Sequence, residues 1–237
     1  DDKSVTYQLY GGNNENRFKQ ELLLGVGGVR LLRQINLYPT IYHLNEGHAA
    51  FAGLERLREY VQDNKLTFHQ AMELVRSSAL FTTHTSVPAG HDSFPEDLLR
   101  TYIPHYPARI GCTWEKMMSL GKVNANNENE KFSMSLLAIR TCQEVNGVSK
   151  DHGKVTQNMF ANLYKGFYPN ELYISYVTNG VHYPTWAAKE WQDLHINAFG
   201  NDFIDNQEDE NIWNNIYSVG NAKIWQTKNI LRKRLID

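Results

Sequence analysis

From residue 17 to 35, apolar side chains recur at Phe18, Leu22, Val26, Val29 and Leu32, the three-to-four spacing of a helix that buries one face. Gly25, Gly27 and Gly28 interrupt it. Each weakens helix propensity, so their predicted use is close approach by a neighbouring element. Pro39 ends the pattern, and the β-branched and aromatic run 40–44 reads as a buried strand that stops at a turn marked by Asn45 and Gly47. A helix is predicted over 49–61. Thr67 with Gln70 forms the signature of a capping box opening a third helix. Residues 79–83 read as a second strand.

The density of Pro, Gly, Asp and His over 88–107 predicts a long irregular excursion broken by a short helix at 96–102, the kind of loop that borders sites. Residues 124–130 are asparagine-rich and polar and read as surface loop. Helical spacing resumes over 132–145 through Met134, Leu137, Ala138 and Cys142, and Asn146-Gly147 is expected to stop that helix. A last strand is predicted over 172–177, running into Thr178-Asn179-Gly180. Helices follow, separated by an acidic loop over 201–211, and 222–236 is helical. Strand, helix and strand in this order predict βαβ units around a parallel sheet. The class expected is α/β, helix-rich. No internal repeat and no linker divides the chain.

Composition narrows the picture. At 237 residues with 41 % hydrophobic and 21 % charged side chains, the chain has the balance of an ordinary globular protein with a packed core. A net charge near −2 gives no field for nucleic acid or an anionic membrane surface. The apolar runs are too short to span a bilayer. Cys112 and Cys142 form no CxxC pair, so neither zinc nor a disulfide framework is indicated; reduced thiols in a cytoplasmic protein are expected. The first residues carry no signal peptide and the last lie inside a helical stretch, so both ends are expected to be internal to a longer polypeptide.

Polar clusters follow three of the predicted strands: Asn45-Glu46-Gly47-His48, His84-Thr85 and Asn179-Gly180. Ligands of open α/β sheets bind beyond the carboxyl ends of the strands. Amides, imidazoles and a carboxylate there suit a neutral, hydroxyl-rich ligand such as a sugar. Taken singly, His48 or His84 is more often a hydrogen-bonded structural residue. His43, Glu46 and His48 lack the HExxH spacing, and no metal is expected. The run Gly25-Val26-Gly27-Gly28 lies inside a helical pattern and reads as packing rather than a phosphate loop. No GxSxG, P-loop or kinase signature is present.

Five further stretches occur in order: Leu9-Tyr10-Gly11-Gly12-Asn13-Asn14 with Arg17-Phe18-Lys19-Gln20-Glu21, then Leu44-Asn45-Glu46-Gly47-His48, Thr83-His84-Thr85, Val145-Asn146-Gly147-Val148 and Thr178-Asn179-Gly180-Val181. In wording and spacing they resemble the α-glucan phosphorylases of the glycogen, starch and maltodextrin type, nearest the bacterial and archaeal branch. The resemblance implies a GT-B type glycosyltransferase with two Rossmann-like domains. Residues 1–237 would be the C-terminal portion of its N-terminal domain, running toward the inter-domain boundary.

It also implies reversible phosphorolysis of terminal α-1,4-linked glucose, giving α-glucose 1-phosphate. The expected partners are a glucan or maltodextrin and inorganic phosphate, with pyridoxal phosphate as cofactor and a homodimer as the assembled enzyme. By the same resemblance His84 is the catalytic histidine, contacting the glucosyl 6-hydroxyl and turning its carbonyl to the ring. Asn179 shares that hydroxyl and Asn14 offers an amide from a loop. Glu46, His48, Thr85 and Asp92 line the substrate groove. Asn13 stands where the family commonly has Asp. The cofactor lysine belongs to a segment that these residues do not contain, so no cofactor is expected on this chain, which is expected to be inactive alone. A non-catalytic glucan-binding module and a structural domain are the alternatives, with a nucleotide-sugar transferase behind them.

Overall fold

The computed structural model describes residues 2–9, 11–87 and 90–237; Tyr10 and Pro88, which figure in the stretches above, lie outside them. Six strands are present among the described residues: β1 (Tyr42–Asn45), β2 (Ala79–Thr83), β3 (Ser93–Phe94), β4 (Phe132–Ser133), β5 (Glu144–Gly147) and β6 (Ile174–Tyr176). Four of them form one sheet in the order β1-β2-β5-β6, every pair parallel. β3 and β4 make a separate antiparallel pair. The helix-rich α/β class with a parallel sheet is therefore what the chain adopts. Among the described residues no helix is long and apolar enough to cross a membrane.

The chain folds as two compact units, residues 1–178 and 179–237. In the first, the predicted helix over 17–35 is continuous but composite. It starts at Asn14, passes through a π-helical turn at Leu23–Gly27 and ends at Gln34. A Cβ on Gly25 would fall 2.7 Å from the amide nitrogen of Ala52 and from Cβ of Phe51. This glycine lets the helix Phe51–Gln62 approach, as expected. Gly28 has nothing within 4 Å of such a Cβ, so the packing role does not extend to it.

Phe18 is fully buried and meets Phe51 and Phe94 edge-on at 5.3 and 5.0 Å between ring centres; burial of such a ring contributes about 2–3 kcal/mol. The capping box forms at Thr67 and Gln70, opening the helix Phe68–Ser77. The helix Glu96–Tyr102 and strand β2 also lie where the sequence puts them.

One expectation fails. The stretch 132–145 is not a single helix: it holds β4, the helix Met134–Thr141 and the start of β5. Asn146-Gly147 does not stop a helix but belongs to an interior strand. Val145 and Asn146 are buried between β2 and β6. A strand covered on both faces shows no alternation, so its apolar residue simply extended the helical spacing. A hydrogen-bonded chain crosses the strands here. His43 Nε2 lies 2.8 Å from Thr82 Oγ1, which donates to Asn146 Oδ1 at 2.9 Å.

The second unit is built around aromatic rings. His195 lies within stacking or edge distance of Trp191, Phe199, Phe203, Tyr183 and Trp213, and its Nδ1 is 2.6 Å from the Tyr183 hydroxyl. Burial lowers the His195 pKa, in keeping with a neutral imidazole inside an aromatic core.

Candidate functional site

The carboxyl ends of β1 and β2 lie side by side, because the two strands are parallel and paired in register from Tyr42↔Ala79 to Asn45↔Thr82. Beyond β1 the chain turns sharply at Glu46, whose φ of 67° is in the left-handed region, and enters the short turn Gly47–Ala49 that carries His48. Beyond β2 come His84 and Thr85. One carboxylate oxygen of Glu46, Oε1, accepts hydrogen bonds from the Thr83 hydroxyl at 3.0 Å, the Thr85 amide at 3.1 Å and the His84 amide.

Next to these ends, the N-terminus of the helix Asn14–Leu22 brings up a third wall. Asn13 is its N-cap, with Oδ1 accepting from the Asn16 amide at 3.0 Å. Its carbonyl is committed to holding the helix start, which an Asp would also do. Asp92 supplies the fourth wall. Its own carbonyl accepts from the Met134 amide at 3.0 Å, and the β3–β4 pair follows directly.

Arg17 joins these walls. Its Nη2 lies 2.7 Å from His48 Nδ1 and donates to Asp92 Oδ2 at 2.8 Å, while its Nε is 3.2 Å from Glu21 Oε1. His48 Nδ1 is also 3.1 Å from Asp92 Oδ2. Donor atoms of Glu21, His48 and Asp92 lie within 4.8 Å of one another, a spacing that could hold a cation; the guanidinium of Arg17 already contacts all three.

The two carboxyls respond in opposite directions. Burial pushes Asp92 up, but its hydrogen bonds to His48, Arg17 and Glu21, with the charge of Arg17, bring it well below the ordinary carboxylate range. Glu21 is almost wholly enclosed, at 1 % exposure. Burial first, then the neighbouring Asp92 carboxylate, raise it to about 9 against the pull of Arg17. The pair is therefore pulled apart, Asp92 toward its ionised form and Glu21 toward its protonated one.

These groups border a cavity of about 460 Å³ lined by Gly12, Asn13, Asn14, Arg17, His48, Thr85, Gly90 and Asp92. Of the residues singled out in the sequence, the structure brings Asn14, His48, Thr85 and Asp92 together around it. Glu46 stands behind the wall, bound to the backbone of β2's end. His84 is exposed and is not among the lining residues. Asn179 is the first residue of the second unit and is exposed.

Arg17 was given no role in the sequence reading, nor was Glu21. Its signal was there: Glu21 falls on the buried stripe of the helix, three residues after Phe18 and four before Gly25, where a carboxyl calls for a buried partner.

A larger cavity, about 840 Å³, lies over Arg30, Arg33, Arg58, Glu55 and Glu59. Its charges are paired internally, Arg30 and Arg58 with Glu55 and Arg33 with Glu59, which leaves it less to offer a ligand. Neither lining contains a lysine. Neither of these two cavities therefore offers pyridoxal phosphate the amine that its Schiff base needs.

A model of the carbohydrate phosphorylase family matches residues 32–214. Over 246 aligned residues the chain is 41 % identical to the glycogen phosphorylase of Mycobacterium tuberculosis (strain ATCC 25618 / H37Rv), an alignment covering 99 % of this chain and 28 % of that protein. It is 37 % identical to the maltodextrin phosphorylase of Thermococcus litoralis over 237 residues, 100 % of this chain and 28 % of the relative. With the glycogen phosphorylase of Aquifex aeolicus the identity is 28 % over 235 residues, 99 % and 33 % of the two lengths. The chain spans about a third or less of these relatives.

Proposed function

The chain belongs to the carbohydrate phosphorylase family, and from that premise we propose that the cavity beside Arg17 holds glucose units of an α-1,4-glucan in a GT-B type transferase that cleaves glucan with phosphate. The observation that carries this reading is the arrangement of Arg17, His48 and Asp92, within 2.7 to 3.1 Å of each other at the edge of a polar cavity.

Sugar hydroxyls each donate and accept. A carboxylate balanced by the Arg17 guanidinium, an imidazole, a threonine hydroxyl and the Asn14 amide answer both needs without a net charge that would demand an ionic ligand. Asp92 is held ionised, so it accepts from a hydroxyl at any pH near neutral.

In this reading the reaction is phosphorolysis with retention: a phosphate oxygen bonds to C1 of the terminal glucose as the C1–O4 bond breaks, and the departing glucan 4-oxygen takes a proton from the phosphate. The transition state carries positive charge on the ring, and dipoles held in place beside it stabilise that charge. The part assigned to these residues is to hold and orient. His48, Thr85 and Asp92 bind the acceptor side of the glucan and Asn14 reaches toward the reacting sugar. His84 takes the 6-hydroxyl, as the family resemblance implies. Glycogen and maltodextrin phosphorylases among the relatives support an α-glucan as the ligand class.

The test is a calorimetric or fluorescence titration of the 237-residue chain with maltoheptaose, with cellohexaose as control. Asp92→Asn and His48→Ala should each weaken maltoheptaose binding by about tenfold, the loss of one good hydrogen bond. Equal affinity in the parent chain and both variants, or a preference for the β-linked control, would remove the site from this role.

A further inference from the structure

Glu46 holds a conformation that its residue type resists. A φ of 67° with ψ of 172° is strained backbone for a non-glycine residue, and glycine would adopt it without strain. A glutamate there needs a compensating use, and the structure shows one. Strand β1 ends at Asn45, and the last ladder bond from this side is the Glu46 amide donating to the Thr82 carbonyl at 2.9 Å. The amides of His84 and Thr85 lie past the end of β1 and would have no strand to pair with. Glu46 Oε1 accepts from both, and from the Thr83 hydroxyl between strand and turn.

We propose that Glu46 is a positioning residue that couples the two lips of the glucan site: its backbone turns β1 toward His48 while its carboxylate fixes the His84–Thr85 turn that follows β2. It rests on the functional reading above and revises one assignment made from the resemblance, since this carboxylate oxygen is taken by the protein rather than offered to the glucan. Both lips border the same cavity, through His48 and Thr85. Displacing the carboxylate would let Thr85 move relative to His48, and a shift of even about 1 Å at such a site is enough to lose binding or rate.

Two variants and two readouts test it. Glu46→Gly relieves the backbone strain and removes the carboxylate. Glu46→Gln keeps an oxygen acceptor at the same reach. In Glu46→Gly, hydrogen exchange at the His84 and Thr85 amides should accelerate by about 100-fold, while the amide of Phe81 in the core of β2 stays protected. Maltoheptaose affinity should fall by about tenfold with the unfolding midpoint unchanged or raised, and Glu46→Gln should restore most of both. Unchanged exchange at His84 and Thr85 in Glu46→Gly would overturn the proposal, as would full affinity with only a lowered midpoint, which is the mark of a purely structural role. If Glu46→Gly does not fold, the same exchange measurement on Glu46→Ala, which also removes the carboxylate, decides: acceleration at His84 and Thr85 supports the proposal and unchanged exchange overturns it. The exchange readout needs no sugar, so failure of the glucan reading and failure of the Glu46 role are separately visible.

Discussion

Two buried glutamates, Glu21 and Glu55, stand on neighbouring helices, at 1 % and 0 % exposure, and take opposite charge states. Glu55 accepts from Arg30 Nε at 2.9 Å, from Arg58 Nε at 2.8 Å and from the Tyr106 hydroxyl at 2.5 Å. Burial pushes it up, but these hydrogen bonds and the Arg58 charge outweigh burial and lower its pKa. Glu21 has the edge of one guanidinium, which it shares with Asp92 and His48, and its pKa rises to about 9. Equal burial with unequal numbers of donors gives an ionised group in one place and a neutral one in the other. The difference separates structure from site. Around Glu55 every charge is spent on the fold, whereas around Glu21 the single guanidinium leaves Asp92 and His48 facing a cavity.

The largest effect that would break this comparison is at Glu55. Glu55→Ala strands two arginines and a buried phenol, and should cost about 3–5 kcal/mol in chemical denaturation, the range for breaking a buried pair. A loss below about 1 kcal/mol would mean that the arginines find other partners and that Glu55 is not held as described.

The pH profile comes next. Glu55 and Asp92 have lowered pKa values in the folded state, so the stability they supply is present above the ordinary carboxylate values and lost as the pH falls from those values through the lowered folded ones. Glu21 has a raised one. Its contribution is full below its ordinary value of 4.5 and is lost as the pH rises toward about 9. Thermal midpoints should therefore fall on both sides of a maximum near pH 5 to 6. A profile still rising at pH 8 would contradict the neutral Glu21.

The smallest effect sharpens the same point. Glu21→Gln reproduces the shape of the protonated acid, so it should leave stability at pH 6 within about 0.5 kcal/mol of the parent and flatten the fall between pH 6 and 9. Marked destabilisation at pH 6 would show that Glu21 works as a carboxylate.

Much of the local structure was legible in the sequence because its causes are local. Thr67 and Gln70 cap each other within one turn, residues 79–83 are β-branched and aromatic enough to declare a strand, and Gly25 marks a real close approach. Strand β5 was not legible, since its three consecutive buried residues, Val145, Asn146 and Gly147, carry no alternation of their own. The site was legible in part. His48, Thr85, Asp92 and Asn14 came from the wording of the chain. The residue that ties them did not, because Arg17 meets His48 and Asp92 across 31 and 75 positions of sequence, and no periodicity reports such a distance. For His84 the structure adds a backbone amide held by Glu46.

Where the glucan sits is the direct test of the whole account. In a titration of the isotope-labelled chain with maltoheptaose followed by amide chemical shifts, perturbations should concentrate at Asn14, Arg17, His48, Thr85 and Asp92 and leave Arg30, Glu55 and Arg58 unmoved. Shifts confined to the Glu55 cleft, or none at saturating sugar, would contradict it.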